Sequence, residues 1–169
     1  DEPFADFVER YIIGRKDVKP GTRKTWGQAL DKVRKFFGGK SIRSLTRKDG
    51  QDFLRWLRTS KDEGGAGHKG ETPSKHLGHV RGFLNEAVAA EIIAANPFAN
   101  VKAKRTPRKE RKQMISTADI LRVIEASSAE MKAVIALSFW GGLRTPSEHT
   151  AMTWNCIRWD ESMMTIYSP

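Results

Sequence analysis

The sequence has a single cysteine and no long apolar run, and each of these shortages excludes a class of protein. Cys156 is the only cysteine, so an internal disulfide is excluded and a reducing compartment is expected. No apolar stretch approaches the ~20 residues that a membrane-crossing helix needs, and the first ten residues lack the basic-then-apolar pattern of a signal peptide. We therefore expect a cytoplasmic protein with no membrane partner.

The common catalytic and metal-binding motifs are also missing. The chain has no glycine-rich Walker loop, no CxxC, no HExxH and no GxSxG. His76 and His79 lie three residues apart and could share a metal ion on one helical face, but no third ligand is close in sequence. Contact with phosphates or bases from an exposed face is the favoured role for both histidines. No metal or other cofactor is expected.

Positive charge, by contrast, is abundant and unevenly distributed. The chain holds 30 Lys and Arg against 20 Asp and Glu, a net charge of +10. Residues 1–113 contain 26 of the basic and 14 of the acidic residues, whereas residues 114–169 contain 4 and 6. The excess indicates a polyanion-binding module joined to a segment with a different task. Nucleic acid is the favoured partner, and a solubilising surface or an acidic protein partner are the alternatives.

Four helices are predicted in the first part of the chain, because apolar residues recur there at helical spacing between polar breaks. Thr46 and Asp49 have the spacing of a capping box, with the acid in place of the usual Glu. Thr72 followed by Pro73 predicts a cap and a first-turn proline. Short connections between such helices predict a small bundle or orthogonal cluster. The predicted helices occupy segments 3–14, 19–39, 45–60 and 72–95.

A basic linker divides the chain. Between Lys102 and Lys112 there are seven cations, one acid, a proline and no large apolar residue. Such a composition cannot form a packed core and is typical of a domain boundary. We therefore predict a helical domain over residues 1–101, a linker over 102–113 and a second domain over 114–169.

The second domain is predicted to contain helices followed by a β-hairpin. STADILRVIEASS and SAEMKAVIALSFW read as two capped helices, and Pro146 opens a short third one. Residues 157–159 and 163–167 alternate around an Asp-Glu-Ser turn, which predicts two β-strands. Two short strands are marginal on their own, so this domain is expected to stop in the middle of a sheet.

Two helix N-termini in the basic part offer groups that suit phosphate oxygens. A helix start presents unpaired backbone N–H groups and the positive end of the dipole, and hydroxyl and cationic side chains there add further donors. Longer side chains could reach base edges in a major groove. Ordinary N-caps on a solvated face are the alternative. The candidate DNA contacts are Thr22, Arg23, Lys24, Thr72, Ser74, Lys75, His76, His79, Arg81 and, in the linker, Lys104 and Arg105.

Arg144 is a separate candidate for anion binding. It follows an apolar helix and the pair Gly141-Gly142, which predicts a guanidinium beside a buried turn, where an unpaired charge is costly. The side chain must then pair internally or bind an anion. Glu148, on the same helical face, is the candidate internal partner, and a bidentate phosphate is the candidate anion. The spacing leaves both open.

Taken together, these segments resemble the tyrosine recombinase (phage integrase) family. GTRKTWGQALDKVRKFF, SIRSLTRKDGQDFLRWL and TPSKHLGHVRGFLNEAVAAEIIAANPF are similar to the second, third and last helices of its core-binding domain. GGLRTPSEHTAMTWNCIRWD is similar to the start of its catalytic domain. The resemblance implies a mainly α chain, in which a four-helix SAM-like core-binding domain precedes the start of an α+β catalytic domain made of helices and a β-hairpin.

The resemblance also implies an activity and site residues. The family breaks and rejoins double-stranded DNA at specific sites through a 3′-phosphotyrosyl intermediate, as a tetramer of protomers on DNA and without a metal. Arg144 matches its first phosphate-clamping arginine. Glu148 matches the supporting acid, although it lies four residues after the arginine instead of three.

The remaining catalytic residues of the family are expected beyond residue 169. Tyr11 and Tyr167, the only tyrosines, are predicted to be packing residues. The chain is therefore expected to be a nucleoid-associated fragment that binds DNA without cutting it. The alternative is a non-catalytic DNA-binding regulator or accessory protein built on the same helices.

Overall fold

The computed structural model describes residues 1–103 and 114–167, and these form two compact units. The predicted linker lies almost wholly outside the described residues, so its boundaries stay a prediction. The helices of the first unit are α1 (Phe4–Gly14), α2 (Pro20–Phe37), α3 (Arg47–Arg58) and α4 (Thr72–Ala89). Helix α1 packs on α2, and α4 packs on both α2 and α3.

Aromatic rings fill the core of the first unit. Phe37, at the last turn of α2, lies with its ring centroid 5.6 Å from that of Phe4, 5.3 Å from that of Phe53 and 6.1 Å from that of Phe98. All four side chains are buried. Edge-on and tilted aromatic pairs of this kind add to the free energy gained by burying apolar area. The stripes that predicted the helices therefore converge on one core.

The ends of α2 and α3 follow the predicted local signals. Helix α2 begins at Pro20, and Gly38 follows it with a φ of +56°, a conformation that glycine adopts without steric cost. At the start of α3, the Thr46 Oγ1 accepts from the backbone N–H of Asp49, and the Asp49 carboxylate accepts from the backbone N–H of Thr46 at 2.8 Å. The predicted capping box is confirmed.

Helix α4 ends at Ala89, and the prediction that it fades at residues 94–95 is wrong. Glu91 has a φ of +57°, and its N–H donates to the carbonyl of Val88 at 3.0 Å. The N–H of Ile92 donates to the carbonyl of Ala87 at 2.9 Å. This pair of bonds is a Schellman motif with Glu at the position that glycine usually occupies. The sequence therefore carries no glycine to mark the end.

The second unit contains α5 (Thr117–Glu125), α6 (Ala129–Phe139), α7 (Ser147–Thr150), β1 (Ile157–Arg158) and β2 (Met163–Met164). The hydroxyls of Ser116 and Ser128 cap α5 and α6, as predicted. The strands are antiparallel, with Ile157 paired to Met164. Strand β1 is shorter than predicted because residues 159–162 form the turn, and β2 ends at Met164 instead of residue 167. The predicted class, mainly helical with a small β-hairpin, is confirmed.

The second unit buries few apolar side chains. Within residues 114–167, Leu143 and Cys156 are the buried hydrophobic residues. Trp140, Trp154 and Trp159 are exposed. Among the described residues no helix is long and apolar enough to cross a membrane.

Candidate functional site

Arg144 lies on the connection between α6 and α7, and two glycines shape its approach. A Cβ on Gly141 would lie 2.7 Å from the carbonyl oxygen of Leu137, and Gly142 has a φ of +67°. Both positions therefore favour glycine. The chain folds back on α6 so that Leu143 is buried, and its N–H donates to the Leu137 carbonyl at 3.3 Å.

The side chain of Arg144 points outward. Its relative exposure is 78 %, so the prediction of a guanidinium beside a buried turn is wrong. The reason is that Leu143, the preceding residue, takes the inward position after the two glycines. The guanidinium is thus open to solvent and carries no large desolvation cost.

Glu148 supports the backbone of the turn more closely than it pairs with the guanidinium. Its carboxylate is buried, and Oε2 accepts from the N–H of Arg144 at 2.7 Å. In return the N–H of Glu148 donates to the Arg144 carbonyl at 3.0 Å. The nearest guanidinium nitrogen is 3.9 Å from Oε1, a weak ion pair. Whether Glu148 also supports catalysis stays a prediction.

Three side chains that sequence reasoning missed also surround the turn. Thr145 Oγ1 lies 3.1 Å from Ser138 Oγ and 3.1 Å from His149 Nδ1, and Ser138 Oγ lies 3.3 Å from His149 Nε2. The spacing of Thr145 and His149 gives little signal in the sequence, because Thr145 lies before the start of α7 at Ser147.

At the start of α2 the candidate DNA contacts differ in availability. The N-cap is Lys19, without a side-chain capping bond, so Thr22 is not a cap but a half-buried residue of the first turn. The Arg23 guanidinium donates to the carbonyl of Arg15 at 3.0 and 2.8 Å. Lys24 is exposed, and it forms no ion pair within the described part of the chain. Of these candidates, Lys24 is the one whose charge is open to a ligand.

At the start of α4 two of the candidates are exposed and two face inward. Thr72 and Lys75 are exposed. The cap position is Glu71, so the prediction that Thr72 caps the helix is wrong, whereas the predicted first-turn proline, Pro73, is confirmed. The Ser74 hydroxyl is buried, with no hydrogen-bond partner among the described residues. His76 is 7 % exposed, so the prediction that it contacts DNA from an exposed face is wrong. It lies on the apolar stripe of α4, one turn before Val80.

Further along α4, His79 is half-buried and Arg81 is exposed. Burial lowers the pKa of His79. Arg81 forms no ion pair within residues 1–103 or 114–167. Lys104 and Arg105 lie outside the described residues.

His76 contacts a second histidine. The ring centroids of His68 and His76 are 5.0 Å apart, and His68 Nε2 and His76 Nδ1 are both buried without a hydrogen-bond partner among the described residues. Burial, followed by the charges of His68, Lys32 and His79, lowers the pKa of His76 to about 4. Burial, with Lys32 and Lys61, also lowers the pKa of His68. The pair is therefore neutral near pH 7.

The two basic helix starts are not brought together. Trp26, near the start of α2, lies 6.0 Å from Phe83, late in α4, whereas Lys32, late in α2, acts on His76, early in α4. The two helices are therefore antiparallel, with their N-termini at opposite ends of the pair. Within the described residues, no three His, Cys, Asp or Glu side chains form a group that could hold a metal ion.

Comparison with known families identifies the first unit. The sequence profile of the phage integrase SAM-like domain matches residues 3–105, more than half of the chain. The chain therefore belongs to the phage integrase (tyrosine recombinase) family, and the resemblance drawn from the sequence is confirmed. A search of the curated proteins finds no match.

Solved structures share the fold. One structure of the Tn1549 transposon integrase, in complex with a circular intermediate DNA, has a TM-score of 0.73 and 17 % identity over 95 % of this chain and 51 % of that chain. Another, in complex with transposon right end DNA, has a TM-score of 0.69 and 19 % identity over 94 % of this chain and 50 % of that one. The present chain thus spans about half the length of these solved integrase chains.

Proposed function

We propose that the chain is the DNA-binding part of a site-specific tyrosine recombinase, which breaks and rejoins double-stranded DNA through a 3′-phosphotyrosyl intermediate. The observation that carries this proposal is the structure of the turn at Arg144, in a chain that belongs to the phage integrase family. Its guanidinium is exposed, while buried Glu148 holds its backbone. An arginine so placed can offer two parallel N–H donors to one phosphate.

The role of Arg144 in this proposal is electrostatic. When a tyrosine oxygen attacks the scissile phosphate, negative charge develops on the non-bridging oxygens. A fixed guanidinium that binds those oxygens stabilises the transition state more than the ground state. The tyrosine lies outside residues 1–169 in this proposal, so the chain alone binds DNA without cutting it, and the protomers assemble on DNA when the nucleophile is present.

The first unit supplies most of the DNA affinity in this proposal. Residues 1–113 carry a large excess of Lys and Arg over Asp and Glu, and Lys24, Lys75 and Arg81 are exposed. Solved relatives of the same fold are complexes with DNA, which supports DNA as the partner. Cations that neutralise phosphates release counterions, and binding then weakens steeply as salt increases.

Binding of the 169-residue chain to duplex DNA, measured by fluorescence anisotropy from 50 to 300 mM salt, tests this proposal. We expect the logarithm of the affinity to fall linearly with the logarithm of the salt concentration, with a slope of about −0.9 for each phosphate contacted. No affinity at low salt, or an affinity that salt does not change, would refute it. A complete coding sequence without a downstream tyrosine would favour a non-catalytic DNA-binding regulator.

A further inference from the structure

Three polar side chains beside Arg144 lie within hydrogen-bonding distance of one another, and we refer to them as the ring. Ser138 belongs to the last turns of α6, Thr145 directly follows Arg144, and His149 belongs to α7. The three pairwise distances between their polar atoms are 3.1, 3.1 and 3.3 Å. The ring therefore joins the residue after Arg144 to the helix before the turn and to the helix after it.

The imidazole of His149 can bond to one of the two hydroxyls at a time, because its two ring nitrogens point in widely different directions and the hydroxyls lie 3.1 Å apart. Through Nδ1 it bonds to Thr145, which in turn bonds to Ser138; through Nε2 it bonds to Ser138, which in turn bonds to Thr145. In both arrangements the two hydroxyls are bonded to each other, since each can donate one hydrogen and accept another. The three side chains are thus linked by two hydrogen bonds in either case.

The ring and Glu148 act on opposite sides of Arg144. Glu148 holds the N–H of Arg144 through its carboxylate, and the ring holds the side chain of Thr145, the next residue. Leu143, the residue before, is buried and bonded to α6. The backbone of Arg144 is therefore fixed on both sides, and the side-chain torsions are its remaining freedom.

We infer that Ser138, Thr145 and His149 are positioning residues for Arg144, which hold its backbone so that the guanidinium meets the scissile phosphate. This inference rests on the proposed function, because it assigns these residues a role in that reaction. Thr145 is exposed, so its hydrogen bonds contribute little to folding. A misplacement of about 1 Å at a catalytic group can cost about 100-fold in rate.

The test compares variants of the intact recombinase that carries this chain. Thr145→Val removes the hydroxyl and keeps the shape, Thr145→Ser restores the hydroxyl, and Ser147→Ala is the matched control, an exposed neighbour outside the ring. Two quantities are measured for each: the rate of covalent adduct formation with saturating site DNA, and the dissociation constant for that DNA.

Thr145→Val is expected to slow adduct formation by about 10- to 100-fold, with the dissociation constant unchanged. Thr145→Ser is expected to recover most of the rate, and Ser147→Ala to behave as the wild type. Ser138→Ala, on α6, gives a second disruption if Thr145→Val does not fold. A wild-type rate in the folded Thr145→Val and Ser138→Ala variants, or equal losses of rate and affinity, would overturn the inference.

The wild-type protein and Arg144→Ala, measured alongside, separate this inference from the proposed function. If the wild-type protein forms no covalent adduct, the proposed function itself fails. If the wild-type protein forms adduct and Arg144→Ala does so at the same rate, Arg144 has no role in the reaction and the inference fails with it. If Arg144→Ala is inactive while Thr145→Val and Ser138→Ala are fully active, only the positioning role fails.

Discussion

The carboxylate of Glu148 binds the backbone N–H of Arg144 at 2.7 Å, while the Arg144 guanidinium, 3.9 Å from the same carboxylate, extends into solvent. Glu148 thus fixes the backbone position of the arginine while pairing only weakly with its charge. A closely paired guanidinium would have to break a strong ion pair before binding phosphate, whereas this one has only a long contact to lose. The displacement of the acid to four residues after the arginine is compatible with this backbone contact.

Replacing Glu148 should destabilise the turn, and the loss should depend on whether the new side chain can accept a hydrogen bond from the N–H of Arg144. Glu148→Ala leaves the N–H of Arg144 without its acceptor, which we expect to cost about 1–3 kcal/mol of unfolding free energy. Glu148→Gln keeps an amide oxygen and should cost less. Urea denaturation gives the free energies, and amide hydrogen exchange at Arg144 reports the local opening. Equal destabilisation by Ala and Gln, with unchanged exchange at Arg144, would contradict this account.

Lys24 and Lys75 should each contribute one phosphate contact. Lys24→Ala and Lys75→Ala are expected to weaken duplex binding and to reduce the magnitude of the salt slope by about 1 each. Lys35→Ala, in the last turn of α2, is the matched control and should change the slope less. If both substitutions leave DNA binding intact but abolish a complex with an acidic protein, the partner is that protein.

Buried His76, which contacts half-buried His68, should make the first unit sensitive to mild acid. The pKa of His76 is about 4 in the folded chain, against an ordinary value of about 6.5. The unfolded chain therefore binds more protons between these values, and the unfolding free energy should fall as pH decreases from about 6.5 to about 4. We expect a loss on the order of 1–3 kcal/mol.

Urea denaturation between pH 7.5 and 4.5 measures this dependence. His76→Phe keeps a ring in the site and removes the titration of this group, so its unfolding free energy should depend less on pH over the same window. Lys75→Ala, beside it on the exposed face, should keep the wild-type dependence. A wild-type pH dependence in His76→Phe would show that other groups are responsible.

Two glycines of the first unit should respond in opposite directions to alanine. A Cβ on Gly50 would lie 2.8 Å from the ring of Phe98 and 2.9 Å from Val101, so Gly50→Ala should cost about 1–3 kcal/mol through overpacking. A Cβ on Gly27 meets nothing within 4 Å, and Gly27→Ala within helix α2 should stabilise by about 0.5–1 kcal/mol. Thermal unfolding of both variants checks the signs. A stabilising Gly50→Ala would show that Phe98 and Val101 do not pack against this position.

Helix positions were predictable where chemistry and periodicity agreed. Pro20 marks the start of α2, Gly38 marks its end, and the capping box of Thr46 marks the start of α3. These ends were predictable because each signal depends only on neighbouring residues. The end of α4 was not predictable, since Glu91 takes a conformation that sequence reasoning reserves for glycine. The burial of His76 could have been predicted from its position on the same apolar stripe as Val80. We predicted exposure instead because histidine is polar.

The sequence identified Arg144 as the central residue of the site, but it did not predict how the side chains of the site are arranged. Its position after an apolar helix and two glycines identified Arg144, yet the same position predicted burial of its charge. Which of Leu143 and Arg144 faces inward depends on the backbone path after Gly142, which has a positive φ. The ring of Ser138, Thr145 and His149 depends on how α6 and α7 meet, and sequence spacing alone does not reveal such a contact.

The most direct test of the central claim is covalent adduct formation by the intact recombinase and its Arg144→Ala variant on a DNA site that traps the intermediate, with site binding measured on the same samples. We predict that Arg144→Ala reduces adduct formation by at least about 100-fold and leaves the dissociation constant within about threefold, because one phosphate contact is a small share of the total. Wild-type adduct formation by Arg144→Ala, or a loss of binding as large as the loss of adduct, would contradict the claim.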